Sequence, residues 1–169
     1  MAAAVTPGAG NTWSPDGDRQ AYVSANATTL IVRDQGGGDR KLYRAPKKVS
    51  LVHRVAWSPD GSRLAVLMLD THGFSDSGIF LPGQKIPSYK PSLALIDVAT
   101  GRLVRRVQLS PAIVNMPYIT NPPDALTFSP DGSQVLVSWD SPAVLDVDDG
   151  RVHQLWSAPA VAAWRAPDR

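Results

Sequence analysis

Apolar and polar residues alternate in short runs along this chain, and glycine, proline and aspartate punctuate the runs. Arg19 to Ser24, Ser62 to Leu69 and Gln134 to Trp139 each follow closely on a glycine and have the length and apolar content of a β-strand. The second of these, SRLAVLML, is nearly continuous apolar sequence, the pattern of a strand covered on both faces. A second set lies in phase with the first. Leu30 to Asp34 runs into a Gly-rich turn, Leu93 to Asp97 into Val98-Ala99-Thr100-Gly101, and Val144 to Asp146 into Val147-Asp148-Asp149-Gly150. Each turn leads to a basic, alternating strand: Arg40 to Arg44, Arg102 to Leu109 and Arg151 to Trp156. The pattern predicts an all-β chain.

The turn before the first set is a repeat. Trp13-Ser14-Pro15-Asp16-Gly17 returns as Trp57-Ser58-Pro59-Asp60-Gly61 and as Phe128-Ser129-Pro130-Asp131-Gly132, with a degraded copy at Trp164-Arg165-Ala166-Pro167-Asp168. Proline supplies φ near −65°, aspartate bonds its own backbone, and glycine takes the left-handed position that follows, so the motif closes a hairpin. The repeat therefore has four strands, a to d, with the PDG turn between a and b and the Asp-x-x-x-Gly turn between c and d. Its aromatic residues, Trp13, Trp57, Phe128 and Trp164, are expected to pack between repeats, and Asp16, Asp60 and Asp131 to cap their own turns.

These residues resemble the WD-like repeats of TolB-type β-propellers, whose blades carry a [FW]-S-P-D-G turn. The resemblance implies four-stranded blades: one at about 10–46, a second at 50–109 with an insertion at 70–91, a third at 124–157 and the start of a fourth at 160–169. Such a count leaves the ring incomplete, since propellers close with about 4–8 blades. A longer parent propeller, a second chain completing the ring, and an open stack all account for it.

Phase also sorts the connections. In an up-and-down blade the a–b and c–d turns share one face of the disc, and the b–c and d–a loops share the other. Both long connections, residues 70–91 and 110–124, are expected as loops on that second face. They carry His72, Phe74, Phe80, Tyr89 and Lys90, then Met116, Tyr118 and Asn121, a mixture of aromatic and polar groups suited to protein or peptide recognition.

Composition narrows the chemistry. The 169 residues hold no cysteine, which removes disulfides, thiolate nucleophiles and Cys-based zinc sites. A net charge of +2 gives no commitment to nucleic acid, and Arg40-Lys41, Lys47-Lys48 and Arg105-Arg106 are expected on solvated outer strands. No run is long and apolar enough for a membrane helix, and the first residues lack the features of a secretory signal. The family resemblance implies an extracytoplasmic setting; the start of the chain, as it stands, implies a cytoplasmic one.

Gly73-Phe74-Ser75-Asp76-Ser77-Gly78 fails as a nucleophile elbow, because Ser77 stands where glycine is needed. Asp70, His72 and Asp76 on one Gly/Ser segment make a poor metal set, and Asp146-x-Asp148-Asp149-Gly150 lacks the bidentate glutamate of a calcium loop. His53 and His153 read as structural. The expectation is a non-catalytic module with no cofactor and no metal, binding a protein or peptide. The alternatives are the gating propeller of a prolyl oligopeptidase-like or dipeptidyl-peptidase-like serine hydrolase, or the sensor domain of a larger regulator.

Overall fold

The computed structural model describes residues 12–76, 85–110, 125–138 and 142–155. All regular structure among them is β. The first sheet runs β1 (Thr12–Trp13), β2 (Arg19–Val23), β3 (Thr29–Asp34) and β4 (Asp39–Arg44). The second runs β5 (Val49–Trp57), β6 (Arg63–Asp76), β7 (Lys85–Asp97) and β8 (Leu103–Gln108). The third runs β9 (Ala125–Phe128), β10 (Gln134–Ser138), β11 (Ala143–Asp146) and β12 (Val152–Gln154). Every pairing is antiparallel and joins strands adjacent in sequence, so each blade is a meander closed by short connections. Three such blades form an incomplete propeller. The expected strand near Val161 to Trp164 lies outside the described residues.

The PDG turns are built alike. In the second, the Ser58 hydroxyl accepts the Arg63 N–H at 2.9 Å and donates to Asp60 at 2.6 Å, while the Gly61 N–H bonds the Ser58 carbonyl at 2.9 Å. Ser14, Asp16 and Arg19 repeat the scheme, as do Ser129, Asp131 and Gln134. Each turn glycine has φ between 69 and 78, where a Cβ is strained. A further turn of the same plan, without the sequence signature, joins β2 to β3. The Ser24 hydroxyl accepts the Thr29 N–H at 3.0 Å and donates to Asn26 at 2.7 Å, and Ala27 fills the left-handed position with φ 57.

Blade 2 is covered on both faces, as the unbroken apolar run of β6 predicts. Leu64, Val66 and Met68 of β6, with Ala94 and Ile96 of β7, join Ala21, Val23, Leu30 and Val32 of blade 1 in one buried cluster. The alternate residues Ala65, Leu67, Leu69, Leu93 and Leu95 join Leu126, Phe128, Val135 and Leu145 of blade 3 in another. Burying each Val, Leu, Ile, Met or Phe among them is worth about 1.5–3 kcal/mol, so both interfaces contribute substantially to stability.

The aromatic residue that ends strand a packs on the preceding blade. Trp57 is 7% exposed in the cluster with blade 1, and its Nε1 donates to the Thr12 carbonyl at 3.1 Å. The Arg19 guanidinium lies 5.0 Å over its ring. Phe128 is buried against blade 2. Trp13 departs from the expectation: it is 56% exposed, because no described blade stands on the side it faces. Trp164 lies outside the described residues.

Outer strands hold the next blade through arginine. Arg40 of β4 donates to the Val98 carbonyl of blade 2 at 2.9 Å, and Arg105 of β8 donates to the Asp148 carbonyl of blade 3 at 2.6 Å. Arg40 and Arg105 lie on the outer strands and also reach the neighbouring blade through their guanidinium groups. Antiparallel pairing stands each opposite an apolar residue, Val32 and Leu95, on the face that meets the next blade.

Candidate functional site: the arm of blade 2

β6 and β7 are much longer than their counterparts in the other blades. β5 pairs with β6 as far as Val49↔Asp70, and β8 pairs with β7 as far as Ser92↔Gln108. Beyond those points β6 and β7 pair only with each other, through Thr71↔Tyr89, Phe74↔Pro87, Ser75↔Ile86 and Asp76↔Lys85. The segment expected as a loop is therefore a two-stranded arm as far as Asp76 and Lys85. Pro87, Pro91 and Gly73 disguise it in the sequence. Proline is excluded from central strands, but Pro87 lies where the ribbon has two strands and every position is an edge, and Pro91 lies just past the last β7–β8 pair, Ser92↔Gln108, so the ladder tolerates both. Gly73 has φ 115 and sits in the irregularity between Thr71 and Phe74, where an added residue is absorbed.

The root of the arm is fixed to the blade. Arg106 pairs with Asp70 and donates through Nε to the buried Ser92 hydroxyl at 2.8 Å. The Pro91 carbonyl accepts from the Leu109 N–H at 2.9 Å and from the Gln108 amide at 2.5 Å. The Thr71 N–H bonds the Lys48 carbonyl at 2.9 Å, and Tyr89 packs against the cluster between blades 2 and 3.

Of the sequence-predicted binding residues, the arm carries His72, Phe74, Tyr89 and Lys90. His72 and Lys90 are exposed, whereas Tyr89 is half-buried and serves the root. Phe80, Met116, Tyr118 and Asn121 lie outside the described residues. Sequence reasoning missed Lys47 and Lys48 as part of this region. Both are exposed where β5 begins, beside the arm's root, and among the described residues no ion pair involves Lys47, Lys48 or Lys90. Asp70, proposed in the weak metal set, is engaged by Arg106.

A cleft of about 310 Å³ lies between the PDG turns of blades 2 and 3, with Asp60, Arg63, Asp131 and Asp148 in its wall. The Asp60 carboxyl is lowered to about 2, first by the Ser58 hydroxyl and then by the Ser62 N–H and hydroxyl. Asp131 is lowered by the Ser129 hydroxyl and then the Ser133 N–H. Groups held ionised this firmly have little basicity and no proton to give near neutral pH, and the turns engage most of their lone pairs. Asp146, in the segment that superficially suggests a calcium loop, accepts the Asp148 N–H at 3.0 Å as an ordinary c–d turn.

On the open face of blade 1, Arg33 bonds Asp39 at 2.6 and 3.0 Å, Tyr22 donates to Asp39 at 2.9 Å, and Arg33 reaches the Tyr22 hydroxyl at 3.1 Å. Asp39 is lowered chiefly by Arg33, and Tyr22 is raised first by desolvation and then by Asp39. The network satisfies itself within one sheet.

No protein-family model and no curated protein matches the chain. Solved structures do. Hydrazine synthase of Kuenenia stuttgartiensis is similar over 86% of this chain and 41% of its own, with a TM-score of 0.61 and 18% identity. The β-propeller domain of Myceliophteria thermophila Cps50 (Swd1) is similar over 96% of this chain and 42% of its own, at a TM-score of 0.56 and 17% identity. For the acylaminoacyl peptidase of Pyrococcus horikoshii the shares are 87% and 24%, at 0.54 and 15%. The chain thus spans less than half the length of each. At these identities the likeness establishes the fold, and the three blades are those of a β-propeller.

Proposed function

We propose that this chain is a non-catalytic propeller module that captures a protein or peptide through the arm of blade 2. The observation that carries the reading is the arm itself: a ribbon anchored by Arg106, Gln108 and Tyr89, running past the blade with His72 and Lys90 exposed. A scaffold strand needs no such extension, and long insertions on a rigid frame are where propellers place recognition. The carboxylates of the turn-side cleft are consumed by their own turns, which favours the arm over that cleft. The TolB-like resemblance supports the same role and an extracytoplasmic setting.

The second reading, a gating propeller of a serine hydrolase, draws on the similarity to the acylaminoacyl peptidase structure. It would make the arm a contact to a hydrolase domain. The test is crosslinking with identification of the captured chain, using the protein and a variant in which residues 72–88 are replaced by Asn-Gly. That two-residue turn closes Thr71 onto Tyr89 without disturbing the root. Loss of the crosslinked partner is expected; undiminished capture overturns the assignment. A hydrolase domain as the captured chain selects the second reading.

A further inference from the structure

The arm has two edges, and only one carries proline. Along β7 the chain places Pro87 and Pro91, which have no N–H to offer a neighbouring strand, and the Pro91 carbonyl is already taken by Leu109 and Gln108. Along β6 the stretch from His72 to Asp76 contains no proline. The last backbone bond across that edge is from the Thr71 N–H to the Lys48 carbonyl, and among the described residues none continues beyond it. β5 supplies the neighbouring strand up to this point. At Lys48, with φ 66, the chain departs from the line of β5, and no described residue takes the place beside β6 beyond it.

An unpaired edge invites strand addition and is normally blunted on both sides. Here proline is confined to β7, and β6 has only the irregularity between Thr71 and Phe74, beyond which its edge resumes. The open line on β6 has Lys47 and Lys48 at its foot and His72 along it, with Lys90 opposite Asp70, whose own charge is engaged by Arg106. Asp76 at the end of β6 stands in register with Lys85, so with Lys47, Lys48 and Lys90 the charged residues around this edge are net cationic. Resting on the arm as the capture element, we propose that the β6 edge accepts an extended acidic peptide, which adds antiparallel to β6 in continuation of β5. Main-chain hydrogen bonds give the affinity, and the lysines select carboxylate side chains. Lysine on an edge strand also serves to repel neighbours, and that protective role predicts no binding of any extended peptide.

The probe is a fluorescein-labelled, end-blocked peptide of about eight residues alternating Glu and Val, the length of an ordinary strand, titrated against the full chain by anisotropy. Controls replace Glu by Lys, or carry N-methyl groups on alternate amides in each of the two registers. The Glu peptide is expected to bind, and the Lys peptide to bind at least tenfold more weakly. One of the two N-methylated registers should lose about tenfold or more, because it loses its ladder donors. The exposed double variant Lys47→Glu/Lys48→Glu, checked for an unchanged circular dichroism spectrum, should weaken the Glu peptide about tenfold. Equal binding by both N-methylated registers overturns strand addition while leaving the arm as capture element. No binding of the Glu peptide, or indifference to the sign of its charge, overturns the proposal outright. Undiminished partner capture by the arm-shortened variant strikes instead at the reading on which it rests.

Discussion

Alanine at Gly101 tests whether the blades are locked together by close backbone approach. Gly101 lies in the turn between β7 and β8, with φ 69, and an added Cβ would stand 2.2 Å from the Leu42 carbonyl oxygen and 3.3 Å from its carbon. Ordinary contact needs on the order of 1 Å more, and both partners are backbone, so no rotamer change relieves the clash. Either the turn withdraws from blade 1 or β4 moves. Both strain the Arg40 bond to the Val98 carbonyl and the buried Leu42. The left-handed φ costs alanine about 1 kcal/mol, and overpacking adds about 1–3 kcal/mol, for a total of about 2–4 kcal/mol. Gly17 supplies the control: its φ is 78, yet nothing stands within 4 Å of an added Cβ. Gly17→Ala should cost only about 1 kcal/mol, the conformational part. The assay is urea unfolding followed by circular dichroism, with the two midpoints compared at a common slope. Equal losses in the two variants, within about 0.5 kcal/mol, would refute interblade approach as the reason for glycine at 101.

Ala27→Gly should stabilise the fold by up to about 1 kcal/mol and raise the thermal midpoint accordingly, since Ala27 holds a left-handed φ that glycine adopts freely. A thermal scan that shows no gain would mean that the turn at Ser24 is unstrained. The Asp60 carboxyl falls from 3.8 to about 2 in the folded chain, so its stabilising contribution is complete above the unfolded value and is lost as pH falls toward 2. Asp16 and Asp131 are lowered in the same direction. Urea midpoints measured from pH 6 down to about 2 should therefore decline, and Asp60→Asn should flatten that decline; a parallel curve for the variant would remove Asp60 from the account.

The blade phase could be read from the chain because the residues that set it act locally. A serine, an aspartate and a glycine at fixed offsets close each PDG turn with hydrogen bonds spanning at most five residues, so the motif alone specifies the result. The Ser24 turn escaped because the same geometry is made with asparagine and alanine at the informative positions. The arm between the second and third strands of blade 2 reads as a loop in the sequence because proline breaks a strand inside a sheet, whereas Pro87 lies where β6 and β7 have only each other and Pro91 just past the last β7–β8 pair. Arg40 and Arg105 carry no local signal of their roles. Their partners are carbonyls 58 and 43 residues away, and only the stacking of blades brings them together.

That stacking also shows why Trp13 breaks the rule kept by Trp57 and Phe128. In blades 2 and 3 the face toward the preceding blade pairs Leu64 with Ile96, and Val135 with Leu145; blade 1 pairs Gln20 with Arg33 at the same register. One step along, Val66↔Ala94 and Val137↔Ala143 correspond to Tyr22↔Ile31. Val98 and Val147 are buried, each with its N–H on a carbonyl in the turn before its blade's second strand; the residue with the equivalent bond in blade 1 is the exposed Gln35. The frame is common to the blades, but its side chains have been changed from apolar to polar along one face. Setting an apolar blade against that face would desolvate Arg33 and Asp39 and return only their existing bonds to each other, a poor exchange for charged groups. The Tyr22–Arg33–Asp39 network thus makes the open face of blade 1 compatible with water or with a polar partner. The geometry common to the three blades remains, and among the described residues Trp13 is left more than half exposed upon it.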